Sequence, residues 1–112
     1  LPWIFDQKFL TDQAKVQWLK ASMLNNPDPQ SLADQERQYL ALTMWDGRAN
    51  LAKIKAPTLV AYGIQDLISL PADSRYLAEN IANAKLVEFD CAHDFSLAIP
   101  KELAKTIIDF CT

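Results

Sequence analysis

The chain has 112 residues, half of them hydrophobic and 22% charged, with a formal net charge of −3. That length suits one domain with room for a core. Acids and bases interleave without a basic stripe, and no apolar run approaches the roughly 18 residues of a membrane-spanning helix, which argues against nucleic-acid and membrane partners.

No signal peptide is visible. Cys91 and Cys111 lie outside any C-x-x-C spacing. They read as reduced thiols, so a cytoplasmic location is expected. The chain opens on Leu1 rather than Met, a hint of an upstream portion.

Residues 1–10 (LPWIFDQKFL) are rich in large apolar groups without a clean period and read as a lead-in that packs against something else. Thr11 or Asp12 is expected to cap a helix through about Leu24. Its apolar face comprises Ala14, Trp18, Ala21 and Leu24, widened by Val16, Leu19 and Met23. Asn25-Asn26-Pro27-Asp28-Pro29 breaks it. Ser31-x-x-Asp34 has the form of a capping box, and its helix is predicted to run to about Met44. Leu32, Tyr39, Leu40, Thr43 and Met44 form the expected buried stripe. Leu51 and Ile54 anchor a short turn before Pro57. Residues 1–50 thus read as an all-helical region.

From residue 51 to 112 the pattern becomes strand, helix, strand, helix. A strand over 58–62 leads into a loop at Asp66. Pro71 stands where a helix can accept its missing N–H, and a helix over 72–81 is expected to bury Leu77 and Ile81. A strand over 85–90 follows, then the loop of His93, the only histidine. A last helix runs from Pro100 to about Phe110, with Leu103, Ile107, Phe110 and Cys111 inward. Strand, crossover helix and strand in this compass imply a parallel pair. An acid and a histidine at the ends of two successive strands suggest two-thirds of a catalytic triad.

Leu59, Val60, Ala61 and Tyr62 are apolar on both faces, as in a strand covered from above and below. Two strands make a poor independent sheet. Leaving such side chains exposed forfeits roughly 1.5–3 kcal/mol each, a sum comparable with the roughly 5–15 kcal/mol stability of a domain. The strand is therefore expected to be covered by an absent N-terminal half or by another copy of the chain, and the chain to be a C-terminal fragment.

Ile54-x-x-Pro57-Thr58-Leu59-Val60, then Gly63-x-x-Asp66, then Cys91-Ala92-His93 with Pro100 beyond resemble the C-terminal portion of the α/β-hydrolases. Residues 1–45 look like the helical cap that this family inserts before its last two strands. The resemblance implies Asp66 as the triad acid and His93 as the base. A serine hydroxyl needs an imidazole to take its proton, and the imidazole needs a carboxylate on its other nitrogen. In the family's order the serine precedes the acid. Ser22 and Ser31 are the only upstream serines, neither lies in G-x-S-x-G, and Gly47 and Gly63 are the only glycines. Nucleophile and oxyanion hole are therefore expected outside this chain, which alone should not catalyse. The chain also departs from the family in carrying Asp90-Cys91-Ala92-His93 where relatives often have Gly-x-Gly-His, and Ala98 where they often have Glu.

Other readings of these residues are weaker. Asp94, Asp90 and Asp73 read as solvated carboxylates. A metal site on Asp66, His93 and a further aspartate lacks a second histidine and an i, i+4 ligand pair. A Cys91–His93 dyad lacks suitable spacing, and Cys91 reads as a buried thiol. Trp3, Phe5, Phe9, Trp18 and Trp45 either line an apolar pocket or pack the cap on the core. The expectation is a serine hydrolase of an ester, lactone or related bond, acting on a small apolar substrate without metal or organic cofactor. The alternative is a non-enzymatic module that self-associates or binds a partner through its strand edge.

Overall fold

The computed structural model describes residues 2–112, so the part of the lead-in that falls on Leu1 lies outside the described residues. Short polar side chains start the helices of the first half. Asp6 caps α1 (Gln7–Thr11), its Oδ1 accepting the Phe9 N–H at 2.7 Å. Asp12 caps α2 (Gln13–Leu24) by accepting the Lys15 N–H at 3.1 Å, while Thr11 closes α1. Ser31 caps α3 (Leu32–Met44), accepting the Asp34 N–H at 3.1 Å and donating its hydroxyl to Asp34 Oδ2 at 2.6 Å. Each cap satisfies a backbone donor that the first helical turn leaves unpaired. The lead-in contains α1, which at five residues is too short to show a period.

Burial in these helices corrects the expected faces. Leu19 is the buried residue of α2, joining Phe5 and Phe9 in a small core, with Phe5 and Phe9 stacked at 4.1 Å between ring centroids. Ala14, Trp18, Ala21 and Leu24, the predicted stripe, are exposed. α2 meets α1 along Leu19, and among the described residues its other face is left exposed. The correction is larger for α3, which buries no residue; Leu32, Tyr39, Leu40 and Met44 all face solvent. A periodic apolar stripe records a tendency to be covered, and burial needs a surface to cover it.

A 3-10 helix (Arg48–Lys53) follows and buries Leu51, whereas Ile54, expected to anchor beside it, is exposed. Then come β1 (Thr58–Gly63), α4 (Pro71–Asn80) and β2 (Ala84–Phe89). The strands pair in parallel, in register from Thr58 opposite Ala84 to Gly63 opposite Phe89. Pro71 is the first residue of α4, where no hydrogen bond is lost. Asn83 turns the chain into β2 at φ 64°, a left-handed conformation that asparagine tolerates. α4 lies on both strands and buries Ser74, while Ile81 just beyond it is buried and Leu77 is not, contrary to expectation.

Val60, Tyr62, Ile81, Phe89 and Cys91 are buried around the sheet. The Tyr62 hydroxyl, on the buried side of β1, donates to Glu88 Oε2 at 2.7 Å across the strand pair. Among the described residues the sheet has two strands, so each has an unpaired edge. After β2 come α5 (Phe95–Ala98), too short to be visible in the sequence pattern, and α6 (Pro100–Cys111). On α6, Leu103, Thr106 and Phe110 are half-buried, but Ile107 and Cys111, expected inward, are exposed. Parallel strands with helices match the α/β expectation.

Candidate active site

β1 ends at Gly63, and the loop beyond it carries Asp66; β2 ends at Phe89, and the loop beyond it carries His93. Because the strands are parallel and in register, both loops leave the sheet at the same end. This is where open α/β sheets place their functional groups. Backbone hydrogen bonds join the loops: Ile64 N–H donates to the Phe89 carbonyl at 2.9 Å and Gln65 N–H to the Cys91 carbonyl at 3.0 Å. Gly63 lets them come this close. A Cβ at Gly63 would stand 2.3 Å from the Ala92 carbonyl oxygen and 2.5 Å from that of Cys91. The glycine is required here for its missing side chain, since its φ is not positive.

Asp66 is 4% exposed. Its Oδ1 accepts the Ile68 N–H at 2.8 Å and the Ser69 N–H at 3.0 Å, and its Oδ2 lies 2.9 Å from His93 Nδ1. Burial pushes the carboxyl upward, but the Ile68 N–H, the His93 ring and the Ser69 N–H outweigh it, leaving Asp66 below the ordinary carboxylate value. Asp66 is thus a held, ionised acceptor. An ionised carboxylate opposite Nδ1 places the imidazole proton on Nδ1 and the lone pair on Nε2. The His93 side chain is 38% exposed, and no described residue hydrogen-bonds Nε2. The pair can therefore accept a proton at Nε2 and stabilise the resulting imidazolium from behind.

Nothing among the described residues supplies a nucleophile to Nε2. Ser22 donates to the Trp18 carbonyl within α2, Ser31 caps α3, and Ser96 donates to Asp94. Cys91 is fully buried, and burial followed by the charges of Asp6, Glu102, Asp90 and Asp66 pushes its thiol up to about 11. At neutral pH it is a protonated thiol, unsuited to a dyad with His93. Among the described residues no group of three or more His, Cys, Asp and Glu lies close enough to hold a metal ion.

The other candidates separate. Asp94 is not a free solvated carboxylate, since it accepts the Leu97 N–H at 3.2 Å and caps α5. Asp90 is exposed and accepts from the Gln65 amide at 2.9 Å, and Asp73 is exposed on α4. Phe5 and Phe9 pack between α1 and α2, while Trp3, Trp18 and Trp45 are exposed. Trp45 lines a cleft of about 660 Å³ with Thr43, Asp46, Arg48, Leu51 and Leu77, away from Asp66 and His93. There Asp46 and Arg48 form an exposed ion pair, and the hydrogen bonds from Arg48 lower Asp46 to about 2. Sequence reasoning missed the Ile68 and Ser69 amides, although an aspartate two and three residues before them in a loop is the pattern of an Asx turn.

No protein-family model matches the chain. It is 35% identical over 86 residues to RutD of Azorhizobium caulinodans, which carries the name of a carbamate hydrolase; the match covers 76% of this chain and 31% of that protein. It is 37% identical over 62 residues to the monoacylglycerol lipase ABHD6 of Homo sapiens, covering 54% of this chain and 18% of the lipase. The crystal structure of the enol-lactonase from Burkholderia xenovorans LB400 superposes with a TM-score of 0.84 at 28% identity, covering 98% of this chain and 41% of the lactonase. A hydrolase from Pseudomonas aeruginosa PA01 gives 0.79 at 27% identity, covering 97% and 40%. The chain thus spans a third or less of these curated relatives and about two-fifths of these structures.

Proposed function

We propose that this chain, which belongs to the α/β-hydrolase fold family, supplies the acid and the base of a serine-hydrolase triad that cleaves an ester, lactone or related bond. The observation that carries the reading is the Asp66 Oδ2–His93 Nδ1 contact at 2.9 Å, in a half-exposed imidazole whose Nε2 no described residue hydrogen-bonds. A serine from outside these 112 residues would present its hydroxyl to Nε2. His93 takes that proton as the oxygen attacks the substrate carbonyl, and Asp66 stabilises the imidazolium. Nε2 then returns the proton to the departing alkoxide, releasing an alcohol and leaving an acyl-enzyme. Water repeats the sequence to free the acid. Donors for the oxyanion come from outside the chain as well, since stabilising that charge needs amides aimed at the carbonyl oxygen. The 112 residues by themselves are inactive in this reading. The lactonase, lipase and carbamate-hydrolase names of the relatives support a carbonyl substrate and leave its identity open.

The test joins the chain to the serine-bearing N-terminal half that the proposal requires and follows hydrolysis of short-chain p-nitrophenyl esters and lactones. Hydrolysis should appear in the joined protein and disappear in His93→Ala. Full activity in His93→Ala sinks the assignment.

A second reading rests on the two-stranded sheet and the uncovered apolar residues of α3. It makes the chain a non-enzymatic module that self-associates through a strand edge. Light scattering would then show a stable dimer, and esterase activity would be absent even with the upstream segment attached.

A further inference from the structure

The loop that carries His93 is held from two directions. On one side it rests against the end of β1, through Gly63 and the Gln65 N–H. On the other, the backbone N–H of Asp94, the residue after His93, donates to the carbonyl of Ile4 at 3.0 Å. Ile4 leads directly into the Phe5, Phe9 and Leu19 cluster, where Phe5 and Phe9 are 4% and 3% exposed. Leu97 and Ala98 of α5 pack against the same cluster. The side chain of Asp94 caps α5. The N-terminal segment therefore meets the His93 loop by a backbone hydrogen bond at Asp94 and by side-chain packing one helical turn later. The apolar cluster sits at a join between the helical half and the loop of the base, and the proposed chemistry uses none of its members.

We infer that Ile4, Phe5 and Phe9 are positioning residues for His93, clamping its loop so that Nδ1 stays on Asp66. The catalytic consequence rests on the proposed triad; the positional one does not. Short helices and loops open at low free energy unless something ties them down. Without the clamp the loop keeps its attachments to the end of β1 and the packing of Phe95 on Phe89 but loses its tie to the N-terminal segment, and His93 can draw back from Asp66. A displacement of about 1 Å at a catalytic group lowers rates by about a hundredfold. If the cluster merely joined α1 to α2, loosening it would leave His93 in place.

The experiment follows the 112-residue chain by NMR in Phe9→Leu and Phe9→Ala. Leu51→Ala, at the buried residue of the 3-10 helix and outside the cluster, serves as the control at matched global stability. Hydrogen exchange at the Asp94 amide and the His93 Nδ1–H resonance are the readouts. The Phe9 variants should speed Asp94 exchange by about tenfold over the control, the scale of a modest loss of local stability, and should weaken or abolish the Nδ1–H signal. Phe9→Leu decides the matter if Phe9→Ala does not fold. Exchange and imidazole signal equal to those of Leu51→Ala overturn the inference. In the joined protein, kcat should fall by about a hundredfold with KM little changed. An intact Nδ1–H signal in a joined protein that turns over no ester would count against the triad and not against the clamp.

Discussion

Replacing Gly63 by alanine adds one methyl group at the point where the two active-site loops meet. Its position is set by the strand: 2.3 Å from the carbonyl oxygen of Ala92 and 2.5 Å from that of Cys91, against 3.4 Å for ordinary contact. Both neighbours are backbone atoms, so no side chain can swing aside, and the His93 loop must retreat by about 1 Å. That retreat strains the 3.0 Å hydrogen bond from Gln65 N–H to the Cys91 carbonyl and moves the residue immediately before His93. Overpacking of this kind costs about 1–3 kcal/mol. Gly47→Ala is the matched control. The three atoms nearest its Cβ would all belong to the ring of Trp45, which is 75% exposed and can move away, so its effect should stay within about 0.5 kcal/mol. Urea unfolding followed by far-UV circular dichroism measures both. Gly63→Ala should lower the midpoint well beyond Gly47→Ala and displace or broaden the His93 Nδ1–H resonance. Equal midpoints, with the imidazole signal unchanged, would refute the close-approach argument.

Asp66→Asn in the joined protein keeps the side-chain shape but removes the charge and favours the wrong tautomer of His93. Turnover should fall by about 10⁴-fold with little change in KM, the scale seen when a triad acid becomes an amide, and steady-state kinetics would show it. The lowered pKa of Asp66 also sets an acid dependence. Its contribution to stability is present above the unfolded carboxylate value and is lost as pH falls through the folded one. Chemical denaturation from pH 6 downward should show stability declining in acid, and the decline should be shallower in Asp66→Asn. Ser31→Ala should weaken α3 by about 0.5–2 kcal/mol, the usual loss for such a cap. Because α3 buries no residue, the change should appear as faster amide exchange at its first turn, with the global unfolding midpoint nearly unmoved.

Much of the second half was legible without coordinates. An apolar run opened by Pro57 and closed by Gly63 marks a buried strand, and Pro71 and Pro100 mark helix starts. These signals are local, because proline and glycine act on their own backbone angles. The ends of the strands then carried Asp66 and His93 toward each other, since parallel pairing brings successive strand ends to one side. The caps at Asp12 and Ser31 were legible for the same local reason. α1 and α5 were not, as five and four residues are too few to show a period.

What the chain determined by itself was therefore its local chemistry: where strands and helices begin, and which acid and which base stand at the ends of two strands. Only the tertiary structure decided what each face touches. Trp18 and Tyr39 are large apolar side chains on helices yet face solvent, while Phe5 and Phe9, from a stretch without a period, are almost wholly buried. It also decided that Gly63 admits two carbonyls and that the Ile68 and Ser69 amides hold Asp66. The reason is physical: backbone preference belongs to a residue and its neighbours in sequence, whereas burial and close approach belong to pairs of surfaces that sequence separates.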